Sequence, residues 1–168
     1  EEAGALVVDC LKHDRRPSDI LTRESFENAI ALQTAIGGST NAVLHLLALA
    51  AEADIELAIE DFDMISKRTP KIANMQPGGP SVMNDLHEFG GVPVVIRRLL
   101  EADLFHGDAM TVTGRTIAEE IAELEANGSL QDDDDIEADF LYTVDDPKEA
   151  EGAIKILTGN LAPDGAVL

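Results

Sequence analysis

The chain has 168 residues, 45% of them hydrophobic and 4% aromatic, with no Trp; this length suits about one domain with an aliphatic core. Thirty-three acidic residues against twelve basic ones give a formal charge of −21, which argues against nucleic-acid or anionic-membrane binding, since phosphate contact depends on Lys and Arg. One cysteine, Cys10, rules out an internal disulfide framework or a multi-cysteine metal site, and no apolar run reaches the roughly 20 residues of a membrane span.

A helix is predicted over Glu1–Leu11, with Ala5, Val8 and Leu11 on one face. Asp14–Ser18 is a polar break, and Pro17-Ser18-Asp19 reads as a turn. Thr22 is the expected N-cap of a helix over Arg23–Ile36 that turns Phe26, Ala29, Ile30 and Ile36 inward, with Gln33 as a polar interruption of that stripe. Gly37-Gly38 ends it, and Ser39-Thr40-Asn41 offers caps for a helix over Asn41–Ala53. That helix is apolar nearly all round, so burial on most sides is expected, with His45 as a satisfied core histidine. A short helix over Asp61–Lys67 faces Phe62 and Ile65 inward and ends before Pro70.

Lys71–Met75 reads as a strand and Pro77-Gly78-Gly79-Pro80 as a tight loop, with Ser81 capping a helix through Phe89. Gly90-Gly91 breaks that helix, and Pro93 sits in the first turn of another over Val94–Glu101. Met110–Thr113 is β-like; Thr116 caps a helix over Ile117–Ala126 that stops at Asn127-Gly128. Phe140–Val144 reads as a strand, Glu149–Leu157 as a short helix, and the rest as a loop through Pro163. The whole is a helix-rich α/β pattern. A start inside a helix at Glu1 and a stop at Leu168 after turn-like Pro163-Asp164-Gly165 point to an excerpt of a longer polypeptide. No basic n-region or signal-peptide pattern is present, so the expected compartment is the cytoplasm.

The acidity has two readings. A halophilic protein carries such a surface because molar salt screens its self-repulsion within about 3 Å. Alternatively, a moderately acidic protein carries one acidic insertion, Gln131–Asp139, which lacks the Gly and terminal Glu of a calcium loop and reads as solvated.

Gly37-Gly38-Ser39-Thr40-Asn41 is the strongest local chemical signal. Glycines let a ligand approach the backbone, and a helix start favours an anion. Ser39, Thr40 and Asn41 add hydroxyl and amide partners, although the same residues serve equally as a helix break and N-cap. No Gly-Lys-Ser/Thr follows, so this is not a P-loop. Asp85, His87 and Glu88 do not share one helical face and read as exposed polar positions. No nucleophile–base arrangement follows from spacing, and no catalytic residue or metal ligand is assigned.

Five ordered blocks resemble the dihydroxy-acid/phosphogluconate dehydratase family. They are Arg16–Ala29, Ala35–Leu46 with its Gly-Gly-Ser-Thr-Asn-Ala-Val-Leu-His-Leu, Met83–Pro93, His106–Thr116 and Leu157–Val167. The Thr-Val-Thr-Gly block and the Gly-Asn-Leu-Ala-Pro-Asp-Gly ending look more like the dihydroxy-acid and sugar-acid branches. Asn84 and Phe89 stand where the family usually has Glu and Ala, so no role is carried onto the helix that holds them.

The resemblance implies a hydro-lyase that converts a 2,3-dihydroxy carboxylate to a 2-oxo acid in branched-chain amino-acid (valine, leucine, isoleucine) synthesis. A sugar-acid or phosphogluconate dehydratase is the alternative within the family, and a non-catalytic acidic binding module on the same scaffold is the alternative outside it. The family uses an iron–sulfur cluster as Lewis acid and a magnesium ion, in what is expected to be a homodimer. Cys10 lies outside the family's cysteine motifs, and neither the Cys-Asp-Lys motif nor the Ser-Gly-rich motif with the proposed base is present; no cofactor ligand is expected from this segment. Residues 1–130 then correspond to the last part of the N-terminal α/β domain, and 131–168 to an acidic loop and the start of the C-terminal β-barrel domain. Ser39, Thr40 and Asn41 are expected beside the active site.

Overall fold

The computed structural model describes residues 2–130 and 139–168; most of the acidic stretch expected to be a solvated loop, 131–138, lies outside the described residues. Among the described residues eight helices come first: α1 (Glu2–Lys12), α2 (Pro17–Ile20), α3 (Arg23–Ala35), α4 (Asn41–Glu52), α5 (Ile59–Arg68), α6 (Met83–Glu88), α7 (Val92–Glu101) and α8 (Ile117–Ala126). An antiparallel pair follows, β1 (Ile156–Gly159) and β2 (Ala162–Val167), with Ile156 opposite Val167. The described part is thus helix-rich with a small antiparallel sheet, consistent with a piece of an α/β protein.

Local capping chemistry sets several boundaries. The Thr22 side chain accepts from the Ser25 amide at the start of α3, and Thr116 does the same for Glu119 at the start of α8. The Pro17 turn winds into α2, where the Asp19 carboxylate accepts from the Arg16 amide at 2.8 Å. Ser81 does not cap α6. Val82 holds that position, and Asp85 three residues later accepts the Val82 amide at 2.8 Å, so the helix starts later than the Ser81 signal suggests.

Helix α3 separates two apolar clusters. On one side Ile30 and Ala31 meet Val43 of α4, Phe62 and Ile65 of α5, and Ile154. On the other, Ala35 meets Ile72, Ala73 and Met75, with Leu86, Val94, Val95 and Leu99 beyond. Lys71–Met75 is buried and extended, but it forms isolated bridges in place of a continuous strand: Lys71 with Glu149, Ala73 with Leu141, Met75 with Ser81. Phe140–Val144 likewise contributes one bridge. Phe89 sits edge-on to Phe140 with ring centroids 5.5 Å apart, and both pack in the cluster that holds Ala35 and Leu86.

Other expectations are corrected. Met110–Thr113 is a turn closed by one Met110–Thr116 bridge. Residues 149–155 are irregular where a helix was expected, because distant groups satisfy their backbone: Gly152 N donates to Ser66 O at 2.7 Å and Ala153 N to Thr34 O at 3.1 Å. The stretch read as a loop through Pro163 contains β2. Helix α1 buries no residue, and Val8 and Leu11 are exposed. Helix α4 buries Val43 and Ala50 but leaves Leu44 66% and Leu49 52% exposed, with His45 on that open side. Only one face of α4 meets α3 and α5, so His45 is not a core histidine here.

Candidate functional site

Four pieces of chain converge at the end of α3. The helix stops at Ala35, whose carbonyl accepts from both Ile72 N (2.8 Å) and Ala73 N (3.1 Å), fixing the extended segment beside the glycine loop. Gly37 turns the chain at φ +69°, a left-handed conformation that disfavours side chains, and a Cβ there would lie 3.1 Å from Lys71 Cε. Gln33 explains its polar place on α3: its Nε2 donates to Ser39 O at 3.1 Å and its stem packs under Gly38. The third and fourth pieces are the turn at Pro77-Gly78 and the crossing 149–155.

Together they enclose an open cleft of about 290 Å3, whose wall includes Gly37, Ser39, Thr40, Lys71, Gly78 and Glu149. Ser39 and Thr40 are exposed on this wall, as the sequence reading requires of ligand-facing hydroxyls. Asn41 is exposed as the first residue of α4 but is not part of the wall. The capping role is shared unevenly: the Asn41 amide donates to Ser39 Oγ at 3.3 Å, whereas the Thr40 side chain makes no cap bond. One of the two hydroxyls is therefore free of the helix-start duty that a pure cap would explain.

Sequence reasoning missed the charged side of the cleft. Lys71 Nζ lies 2.9 Å from Glu149 Oε1; the lysine side chain is 10% exposed and the glutamate 54%. Lys155 also lines the cleft and pairs with Glu151 at 3.0 Å. The only sequence hint was scarcity, since the chain has just five lysines. A second charged cluster lies outside this cleft. Asp61 accepts from Arg23 Nη1 and Nη2 at 2.9 and 2.7 Å and from Ala58 N at 2.7 Å. These bonds, Arg23 first, hold the Asp61 carboxyl below its ordinary value despite burial, and they raise Arg23. Burial opposes the charge on neighbouring Glu27, but hydrogen bonds from Arg23 and His106 outweigh it and keep its carboxyl low.

The donors among the described residues do not fit an iron–sulfur cluster or a magnesium site. Cys10 Sγ donates to Val112 O at 3.2 Å beside Arg15, away from the cleft, and no group of three or more metal-ligating side chains occurs among the described residues. Asp85 caps α6, while His87 and Glu88 are exposed. No described helix is long and apolar enough to cross a membrane.

A sequence model described as dihydroxy-acid/6-phosphogluconate dehydratase N-terminal matches residues 1–120. A dihydroxy-acid dehydratase of Natronomonas pharaonis is 78% identical over 99% of this chain and 28% of its own length. One of Haloarcula marismortui is 64% identical with the same coverage, and one of Picrophilus torridus is 46% identical over 99% of this chain and 29% of its own. The chain spans a little over a quarter of the length of these relatives. With the matched segment running from α1 into the first turn of α8, the chain belongs to the dihydroxy-acid/6-phosphogluconate dehydratase family.

Proposed function

We propose that this chain is the central scaffold segment of a dihydroxy-acid dehydratase, a hydro-lyase that removes water from a 2,3-dihydroxy carboxylate. The reading rests on identity, along nearly the whole chain, to relatives bearing that name. In the reaction the C2 proton and the C3 hydroxyl leave, and the resulting enol tautomerises to a 2-oxo acid. Hydroxide is a poor leaving group, and the family's iron–sulfur cluster and magnesium ion would supply Lewis acidity from residues outside this segment. This chain's own part is to bind and orient: Ser39 and Thr40 on the cleft wall, and Asn41 at its edge, offer hydroxyl and amide partners to a small anionic polyol. Exposed Leu44, Leu49, Val7 and Leu11 favour this over a self-standing binding module, which would bury them. Residues 1–130 belong to the N-terminal domain of the parent enzyme and 131–168 lead into its C-terminal β domain; the enzyme is a cytoplasmic homodimer of the branched-chain amino-acid pathway.

The parent protein, expressed whole, is expected to form a 2-oxo acid from 2,3-dihydroxy-3-methylbutanoate; no turnover by the cofactor-loaded protein overturns the reading. Within it, Ser39→Ala is expected to lower kcat/KM about tenfold, the worth of one well-placed hydrogen bond. Asn41→Ala is expected to lower it less, because Asn41 stands outside the cleft wall. Unchanged kcat/KM in both removes the assignment.

The charge of −21 supports a halophilic protein. Its melting temperature is expected to rise between about 0.1 and 2 M KCl as surface repulsion is screened. A flat curve contradicts that.

A further inference from the structure

The cleft has a cationic floor that its surface hydroxyls do not explain. Lys71 is buried to nine-tenths of its side chain, yet Glu149 is its only hydrogen-bonding partner among the described residues. An ammonium carries three N–H donors, so it can take a ligand oxygen as well as a protein carboxylate. Gly37 and Gly78 flank it: a Cβ at either would come within 3.9 and 3.7 Å of Nζ. Both positions lack side chains where the cleft reaches the ammonium. The surroundings are unusual for this molecule. In a chain with 33 acidic and 12 basic residues, the side chains lining the cleft include two lysines, Lys71 and Lys155, and one acidic residue, Glu149.

A cross-strand ion pair would account for the Lys71–Glu149 contact, since the two residues bridge through their backbones. It does not account for the asymmetry. The cation is buried, whereas its carboxylate partner on the cleft wall is 54% exposed. Such a partner can swing away at little cost, and another carboxylate can take its place with no change in buried charge.

We infer that Lys71 anchors the carboxylate of a small hydroxy or oxo acid in this cleft, and that Glu149 is the resting occupant that the ligand displaces. Ser39 and Thr40 then lie on the same wall to meet the ligand's hydroxyls. The inference rests on the dehydratase reading for the ligand's identity, but names a binding residue that reading does not require. Burial also protects this contact from the salt that screens surface charges.

The test uses the whole parent protein titrated calorimetrically with 3-methyl-2-oxobutanoate and with its neutral amide, alongside steady-state kinetics. The native protein is expected to prefer the acid. Lys71→Met should abolish that preference and raise KM about tenfold or more, with kcat changed far less. Glu149→Gln should shift the opposite way, with acid binding tightened about threefold because the competitor is gone. If Lys71→Met keeps the preference, or if both variants alter only the melting temperature, the pair is structural and the inference fails. Should Lys71→Met not fold, Glu149→Gln decides, because unchanged or weakened acid binding overturns the proposal. Ser39→Ala separates the two levels: if it lowers kcat/KM while the Lys71 and Glu149 variants leave acid preference intact, only this inference falls. If all of them are silent, the placement of the substrate in this cleft falls with it.

Discussion

Gly152→Ala is expected to destabilise the protein by about 3 kcal/mol, the sum of overpacking and a lost buried hydrogen bond. The new Cβ would sit 2.1 Å from Thr34 Oγ1 and 2.7 Å from Ser66 Oγ. Both hydroxyl residues are almost wholly buried and bonded to each other at 2.8 Å, and Thr34 Oγ1 also accepts from Ile154 N at 3.3 Å. Neither can retreat into solvent, so the crossing 149–155 must lift from α3 and α5. That crossing carries Glu149 and one wall of the cleft, so the variant should lose ligand binding as well as stability. Thermal unfolding of the parent protein reads the first effect. A double variant with Thr34→Ala supplies the control: removing Oγ1 and Cγ2 relieves the closest contacts, so the two substitutions should cost less together than their sum. Full additivity would mean that this clash is not the cause.

Asp61→Asn is expected to cost about 2 kcal/mol and to flatten the acid limb of the stability curve. The change weakens a bidentate guanidinium contact and leaves Arg23 short of a counter-charge. Breaking a fully buried pair costs about 3–5 kcal/mol. Here Asp61 is 12% exposed but Arg23 is 35% exposed, so solvent screening brings the figure down. The sign with pH follows from the direction of the shift. Asp61 is held below its ordinary 3.8 in the folded protein, so its contribution is complete above that value and is lost as the pH falls through it toward the folded pKa. The native melting temperature should therefore drop more steeply than that of Asp61→Asn between about pH 5 and pH 3. Parallel curves would show that the carboxylate does not stabilise the fold.

The sequence was most legible where structure is decided within a few residues. Thr22 and Thr116 announce their helices because an N-cap acts over three positions, and the glycine pair at 37–38 ends α3 for a reason visible in the chain itself. Legibility failed where partners come from far away. The segment 149–155 looks helical by periodicity, yet its amides are taken by Ser66, Thr34 and Lys71. Pro163-Asp164-Gly165 looks like a turn, yet pairing with β1 draws it into a strand. Helix α4 looks buried from its composition, but burial depends on neighbours, and the packed α3 and α5 cover one face only. The same limit applies to the site. Gly37–Thr40 stands out as a motif, whereas Lys71 and Glu149 are 78 positions apart and become a site only when the extended segment and the crossing meet.

Hydrogen exchange of the whole parent protein, with and without saturating 3-methyl-2-oxobutanoate, tests most directly whether this segment holds substrate. The account predicts ligand-dependent protection of the amides around 37–42, 71–73 and 149–153. Protection confined to other parts of the protein, with these amides exchanging as before, contradicts it.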